Sequence, residues 1–177
     1  MVILRFISLL FFISFIVASP KQSVRALWIV RDHMVNPKLI DSAIRFAEEN
    51  DFNHVFAQVR GRGDAFYNSS LVSKSNLVDS NFDPLHYLIS NCKNKSIKVH
   101  AWLNIYYLWS SPRKPPKKDH LLFLKPEWLD RKVDDEYISE KKFLIEEGRI
   151  NIDGEGFFLA PTNPDVNLHL LSVVSEL

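Results

Sequence analysis

Three short apolar runs alternate with amphipathic stretches over the first two thirds of the chain. The runs are rich in β-branched and aromatic residues, which favours β-strands, and they span residues 25–31, 54–59 and 97–104. Asn36-Pro37 and Asp83-Pro84 each place a capping side chain before a proline at the first helical position. The pattern therefore predicts strand, helix, strand, helix, strand, with helices over 37–50 and 84–94.

The third run reads as an alternating strand with two different faces. Successive strand residues point to opposite sides of a sheet. One face is apolar and the other carries His100, Trp102 and Asn104, with Tyr106 where the strand ends. Such side chains can hydrogen-bond hydroxyl groups and stack against a flat apolar ring face. This face therefore predicts a sugar site.

The pattern breaks up from residue 110 to residue 156, where prolines and mixed charges show no sustained period. An irregular stretch of this length is typical of a functional loop or a flexible segment. A small hairpin is predicted over 143–152. Asn163-Pro164 then begins a third helix, whose shared apolar face comprises Val166, Leu170, Val173, Val174 and Leu177.

The order of elements predicts an α/β fold with a parallel sheet and right-handed crossovers. A barrel and an open doubly wound sheet both satisfy this order. No glycine-rich phosphate-binding motif follows the first strand, which weakens a nucleotide-binding interpretation. The polar residues gather after the carboxyl ends of the strands, where both architectures place their sites.

The N-terminus has the pattern of a secretory signal. Arg5 precedes an apolar run over 6–17, and the small residues Ala18 and Ser19 follow. We interpret residues 1–18 as a cleaved signal, 19–24 as a short linker and 25–177 as one domain, which predicts a secreted or periplasmic protein. An uncleaved membrane anchor is the alternative, if the apolar run extends back across Arg5.

The composition argues against nucleic acid as a partner and against a metal or other cofactor. The net charge of +1 gives no broad field that would attract nucleic acid. The basic cluster at Arg113, Lys114, Lys117 and Lys118 is interpreted as a solvated loop. The single cysteine, Cys92, shares a predicted helix face with Leu85, Leu88 and Ile89, which indicates a buried core residue. The six histidines show no ligand spacing, so neither a metal nor another cofactor is predicted.

The loop after the second strand contains candidate chemistry in Arg60, Asp64 and Tyr67. Arg60 and Asp64 either form an ion pair that supports the loop or face substrate hydroxyls. Glycoside hydrolysis generally requires two carboxyl groups that flank the bond. Asp64 is a weak candidate for one of them, and the catalytic residues are otherwise unassigned. Asp32 lies near the end of the first strand, with nothing further to mark it.

Six segments, in this order and spacing, resemble the bacterial glycosyl hydrolase-like 10 family. They are Arg25-Ala26-Leu27-Trp28, the residues Gln58-Val59-Arg60 with Gly63-Asp64-Ala65-Phe66-Tyr67 and Ser69, Phe82-Asp83-Pro84-Leu85, Val99-His100-Ala101-Trp102-Leu103-Asn104, Pro126-Glu127-Trp128-Leu129, and Phe158-Leu159-Ala160-Pro161 running into Asn163-Pro164-Asp165-Val166. The chain departs from the family at Asn94-Lys95-Ser96, where a glycine is usual, and at Gly61, where a proline is common.

The resemblance implies the N-terminal part of a TIM (β/α)₈ barrel, with about three βα units and a long loop insertion. It implies a secreted or envelope-associated hydrolase of glycosidic bonds, with cell-wall glycan as a candidate substrate. A saccharide would then contact Arg60, Asp64, Tyr67, His100, Trp102, Asn104 and Tyr106. A non-catalytic carbohydrate-binding or scaffold protein is the alternative.

The resemblance also leads us to expect an incomplete and inactive chain, because a full barrel needs about 250 residues. Membrane contact would occur only through the N-terminal segment. The uncovered sheet edge would favour self-association.

Overall fold

The computed structural model describes residues 23–111, 113–130 and 156–177. Its centre is a parallel sheet of three strands in the order β1-β2-β3, comprising β1 (Ala26–Ile29), β2 (His54–Arg60) and β3 (Lys98–Leu103). Helix α1 (Pro37–Glu49) joins the first two strands, and α2 (Pro84–Cys92) joins the second and third. The predicted α/β fold with a parallel sheet is confirmed.

Both crossover helices begin where the capping pattern predicts. The side chain of Asn36 accepts a hydrogen bond from the Leu39 amide at 3.0 Å, and Asp83 accepts one from the His86 amide at 2.9 Å. Each cap satisfies an amide that the first helical turn leaves without a partner. Local sequence therefore sets the start of each helix, and with it the position of the following strand.

One face of the sheet packs against both helices and forms the main core. Val55, Ala57 and Val59 of β2 are completely buried there, with Ile40 of α1 and Leu88 of α2. Cys92 is also buried, and burial raises the pKa of its thiol, as suits a residue that fills the core. Ile89, predicted to share that face, is exposed.

The opposite face of the sheet carries a stack of rings in register across the strands. Trp28 pairs with Phe56, and Phe56 pairs with His100. Their ring centroids lie 5.0 Å and 4.6 Å apart, with nearly parallel planes. His100 thus points away from the helices, as the alternation predicts.

A second core forms beyond β3. Strand β4 (Tyr107–Trp109) pairs antiparallel with β5 (Phe157–Phe158), and the short helix α3 (Leu121–Leu124) and the long helix α4 (Pro164–Glu176) complete this region. Its completely buried residues are Leu108, Leu122, Leu159 and Val166. Sequence periodicity does not predict β4 or β5, since each exists only through pairing with the other.

Helix α4 confirms the predicted third helix, with a narrower buried face. Val166, Leu170 and Val173 are buried, whereas Val174 and Leu177 are exposed. The predicted hairpin over 143–152 and the predicted signal over 1–18 lie outside the described residues. Among the helices described, none has the length and apolar character needed to cross a bilayer.

Candidate functional site

The loop after β2 turns sharply at Gly63, and the side chain of His120 is hydrogen-bonded to it. Gly63 has a φ of 73°, a region that favours glycine. The buried His120 ring donates from Nε2 to the Arg62 carbonyl at 2.9 Å, and its Nδ1 accepts from the Leu122 amide at 3.2 Å. Burial lowers the pKa of His120, although the bond to the Arg62 carbonyl partly opposes that effect. A neutral imidazole therefore fixes this loop.

Arg60 lies entirely inside the protein, at the end of β2. Its Nη1 atom donates to the carbonyl oxygens of Asn104 and Ile105, the latter at 2.8 Å. Burial lowers its pKa to about 10, and Asp64 and Tyr67 oppose this shift by stabilising the cation. Arg60 thus holds the chain that leaves β3 against the end of β2.

Asn104 completes the connection between the ends of β2 and β3. Its Oδ1 accepts from the indole nitrogen of Trp102 at 3.1 Å, and its Nδ2 donates to the Gly61 carbonyl at 3.1 Å. The Asn104 amide donates to the Arg60 carbonyl at 3.0 Å. Arg60 of β2 therefore joins Trp102 and Asn104, more than 40 residues further along the chain, in one hydrogen-bonded network at the carboxyl edge of the sheet.

A cavity of about 380 Å³ lies beside this network, and we call it the strand-end pocket. Residues that follow β1, β2 and β4 line it. Its charged side chains are Arg31, Asp32, Arg62, Asp64, Arg113 and Lys114, and the indole of Trp109 forms an aromatic wall. The Oδ1 atom of Asp64 accepts from the Arg62 amide at 2.9 Å, which fixes the carboxylate at the pocket. Two carboxylates and several cations therefore surround one cavity.

A second, more open groove of about 880 Å³ follows the end of β3, and we call it the Tyr106 groove. Asn104, Tyr106 and Asp130 contribute its polar groups. The Tyr106 hydroxyl donates to Asn167 of α4 at 3.0 Å, and the Asp130 amide donates to the Phe158 carbonyl at 2.8 Å. The groove is thus held by α4 on one side and by β5 on the other.

Tyr67 and His100 lie apart from both cavities. Tyr67 is buried, and its hydroxyl donates to Oε2 of Glu176 at 3.2 Å. His100 belongs to the ring stack on the sheet, where its Nε2 lies 2.8 Å from Nδ1 of His54. The structure therefore brings five of the seven predicted site residues to the carboxyl ends of the strands: Arg60, Asp64, Trp102, Asn104 and Tyr106.

Sequence reasoning missed several pocket residues because their signals were weak. Asp32 is marked in the sequence only by its position after the first strand, and Arg62 only by its place in the loop after the second strand. Arg113 and Lys114, interpreted as part of a solvated basic loop, line the strand-end pocket, whereas Lys118 does not. Within the described ranges, no cluster of three or more His, Cys, Asp or Glu residues is placed to hold a metal ion.

Comparisons with known proteins agree with the sequence resemblance. The family model described as Glycosyl hydrolase-like 10 matches residues 23–177. Glycosyl hydrolase DigH of Escherichia coli (strain K12) is 28% identical over 130 residues, which is 70% of this chain and 27% of that protein, and the Shigella flexneri protein of the same name matches equally. The chain therefore spans about a quarter of the length of these curated relatives.

One solved structure supports the fold. The crystal structure of a hypothetical protein from Ruminiclostridium thermocellum ATCC 27405 is similar to this chain with a TM-score of 0.57 and 14% identity. The similarity covers 85% of this chain and 68% of that one. At this identity, the likeness bears on the fold alone.

Proposed function

Because this chain belongs to the glycosyl hydrolase-like 10 family, we propose that it acts on glycosidic bonds of a bacterial polysaccharide, with cell-wall glycan as a candidate substrate. The observation that carries the proposal is the presence of Asp32 and Asp64 on the walls of one pocket. The glycosyl hydrolase names of the curated relatives support the same class of reaction.

Hydrolysis of a glycosidic bond needs one carboxyl group that protonates the leaving oxygen and a second that acts as base or nucleophile. Asp32 follows β1 and Asp64 follows β2, so adjacent parallel strands bring them to the same edge of the sheet. The side chain of Asp32 is 71% exposed and open to a ligand, whereas Asp64 is held by the Arg62 amide. In this proposal, they form the acid pair.

The walls around these carboxylates suit a saccharide. Trp109 contributes apolar atoms to the wall, and the surrounding cations offer hydrogen-bond donors for hydroxyl groups. The Tyr106 groove continues beyond β3 and has room for neighbouring sugar units beside Asn104 and Tyr106. Arg60 and Trp102 act in this proposal by positioning the ends of the strands.

The proposal extends to architecture and location. In it, β1 to β3 are the first strands of a (β/α)₈ barrel, and residues 1–18 direct secretion to the periplasm or the exterior. Mass spectrometry of the N-terminus of the protein purified from cells checks the second point. We expect a mature chain that begins after Ala18, and an intact Met1 would contradict cleavage.

The test of the reaction combines Asp32→Asn and Asp64→Asn variants with an assay for new reducing ends. Release of reducing ends by the wild-type chain would also overturn the expectation that this chain is inactive. Substrates are peptidoglycan-derived glycan strands and other bacterial polysaccharides. Each substitution should lower kcat at least about 100-fold, because general acid–base groups contribute 10²–10⁴-fold. Glu49→Gln, on the exposed surface of α1, is the matched control and should leave kcat unchanged. Full activity in Asp64→Asn would refute its assignment.

A non-catalytic carbohydrate-binding or scaffold function is the second candidate. The observation that favours this function is that both carboxylates already have partners within the protein. Asp32 lies 3.6 Å from Nε of Arg31, and Asp64 accepts a hydrogen bond from the Arg62 amide. A wild-type protein that binds glycans by calorimetry and releases no reducing ends from any of them would support this function and overturn hydrolysis.

A further inference from the structure

The strand-end pocket has more positive than negative charge among its described walls. Arg31, Arg62, Arg113 and Lys114 face two carboxylates, Asp32 and Asp64. In the described part of the chain, only one of these four cations has a carboxylate within ion-pair distance. It is Arg31, whose Nε lies 3.6 Å from Oδ1 of Asp32. Three cations therefore line the cavity without an acidic partner among the described residues.

Arg62 is the most constrained of these cations. Its guanidinium lies over the Trp109 ring, with the central carbon 5.9 Å from the ring centroid. Its Nε atom is buried and has no hydrogen-bond partner in the part of the chain described here. A buried donor without an acceptor is unfavourable, so Arg62 retains unused hydrogen-bonding capacity beside the pocket.

The segment that carries the other two cations is fixed against the same wall. The Trp109 indole nitrogen donates to the Arg113 carbonyl at 2.7 Å and to the Ser111 carbonyl at 3.0 Å. These bonds hold the backbone of Arg113, next to Lys114, beside the ring on which Arg62 lies. One aromatic side chain therefore organises cations from two distant parts of the chain.

We propose that the strand-end pocket binds the carboxylate of an acidic saccharide. This proposal rests on the proposed function and adds the substrate class at the same site. A planar guanidinium pairs with a carboxylate through two parallel hydrogen bonds. The apolar atoms that Trp109 contributes to the pocket wall would lie beside the sugar ring. A neutral sugar would desolvate these cations without compensating their charge. A sulfate ester on a sugar is the other source of negative charge that the experiment distinguishes.

Calorimetry with matched ligands tests the proposal in the whole protein. The ligands are an oligogalacturonate, its methyl ester, which keeps the rings and removes the charge, and a sulfated oligosaccharide. We expect the acid to bind at least about tenfold more tightly than the ester, with an affinity that falls as salt rises. Equal affinity for acid and ester, no binding of the acid, or tighter binding of the sulfated ligand would overturn the proposal.

Matched variants test the location. Lys114 and Lys118 are both exposed on the same segment, but only Lys114 lines the pocket. Arg113→Ala combined with Lys114→Ala should weaken binding of the oligogalacturonate about tenfold, because two exposed charge contacts are lost. Lys118→Ala should change it less than about twofold. Equal losses in both variants would indicate diffuse attraction and overturn the site.

These readouts separate this proposal from the proposed function. Binding is measured without turnover, so a protein that prefers the acid yet cleaves no glycan overturns hydrolysis alone. A protein that releases reducing ends but binds the acid and the ester equally overturns acidic selectivity alone.

Discussion

Glu176 fastens α4 to the loop after β2, and its removal gives the sharpest prediction for stability. Its Oε1 accepts from the amide and the hydroxyl of Ser70 at 2.6 Å and 2.7 Å. Its Oε2 accepts from the hydroxyls of Tyr67 and Ser69. Four donors therefore converge on one half-buried carboxylate, and they join parts of the chain more than 100 residues apart.

The substitution Glu176→Gln keeps the shape and removes the charge. The new amide group would have to face Ser69, whose oxygen already accepts from the amides of Leu71 and Val72. Hydrogen bonds to a charged group contribute about 1 kcal/mol more than neutral ones. Four such bonds, with their contribution halved because the carboxylate is partly exposed to solvent, lead us to expect a loss of about 2 kcal/mol in the free energy of unfolding. For a chain of this size, that lowers Tm by about 4–8 °C.

The pH dependence provides an independent check. Partial burial raises the pKa of Glu176, but the hydrogen bonds from Ser69, Ser70 and Tyr67 outweigh it, and the net pKa is lowered. Because the folded pKa lies below the unfolded one, the stabilisation is complete above about pH 4.5 and is lost as the pH falls through the folded pKa. The difference between wild type and Glu176→Gln should therefore shrink in acid.

Urea denaturation followed by tryptophan fluorescence at several pH values measures both effects. The variant Glu127→Gln, an exposed residue outside this cluster, is the control and should change stability by less than about 0.5 kcal/mol. A loss below about 0.5 kcal/mol in Glu176→Gln at pH 7, or a loss that stays constant into acid, would refute the reasoning.

Three further predictions concern the supports of the strand ends. Gly63→Ala should lower the free energy of unfolding by about 2–4 kcal/mol in urea denaturation, because φ is 73° and the new Cβ would lie 2.5 Å from the Leu108 side chain. Gly61→Ala is the control and should cost less, because its new Cβ meets only the flexible Arg31 side chain. Arg60→Lys should destabilise the fold by about 2–4 kcal/mol, because the lysine side chain is shorter than that of arginine and its ammonium would fall short of the two carbonyl oxygens that Nη1 contacts. A stable variant that loses only activity would contradict this structural role. Because the pKa of buried His120 is lowered, the stability of the wild type should fall as the pH drops below about 6.5. In thermal melts from about pH 8 to 5, His120→Gln should make Tm depend less steeply on pH.

The elements predicted from the sequence are those that neighbouring residues determine. Asn36 and Asp83 cap helices within one turn of themselves, and the apolar period of α1 lies within 13 residues. The alternation along β3 likewise places His100 and Trp102 on the face opposite the helices. Such features depend on local backbone geometry, which residues close in sequence specify.

The resemblance of six segments to a known family was also available from the sequence, and the family match over residues 23–177 confirms it. The sequence further predicted that polar side chains gather at the carboxyl ends of the strands, because a parallel sheet brings those ends to one edge. Arg60, Trp102 and Asn104 meet there.

Only the tertiary structure decided which of these residues line a cavity. Arg60 and Tyr67 are buried as supports, whereas Arg62 and Asp64 line the strand-end pocket. The sequence contains no signal that Trp109 joins Arg62 to Arg113, since that arrangement depends on β4 pairing with β5, 48 residues further on. Pairing over such distances is set by the packing of the second core, and no local periodicity records it.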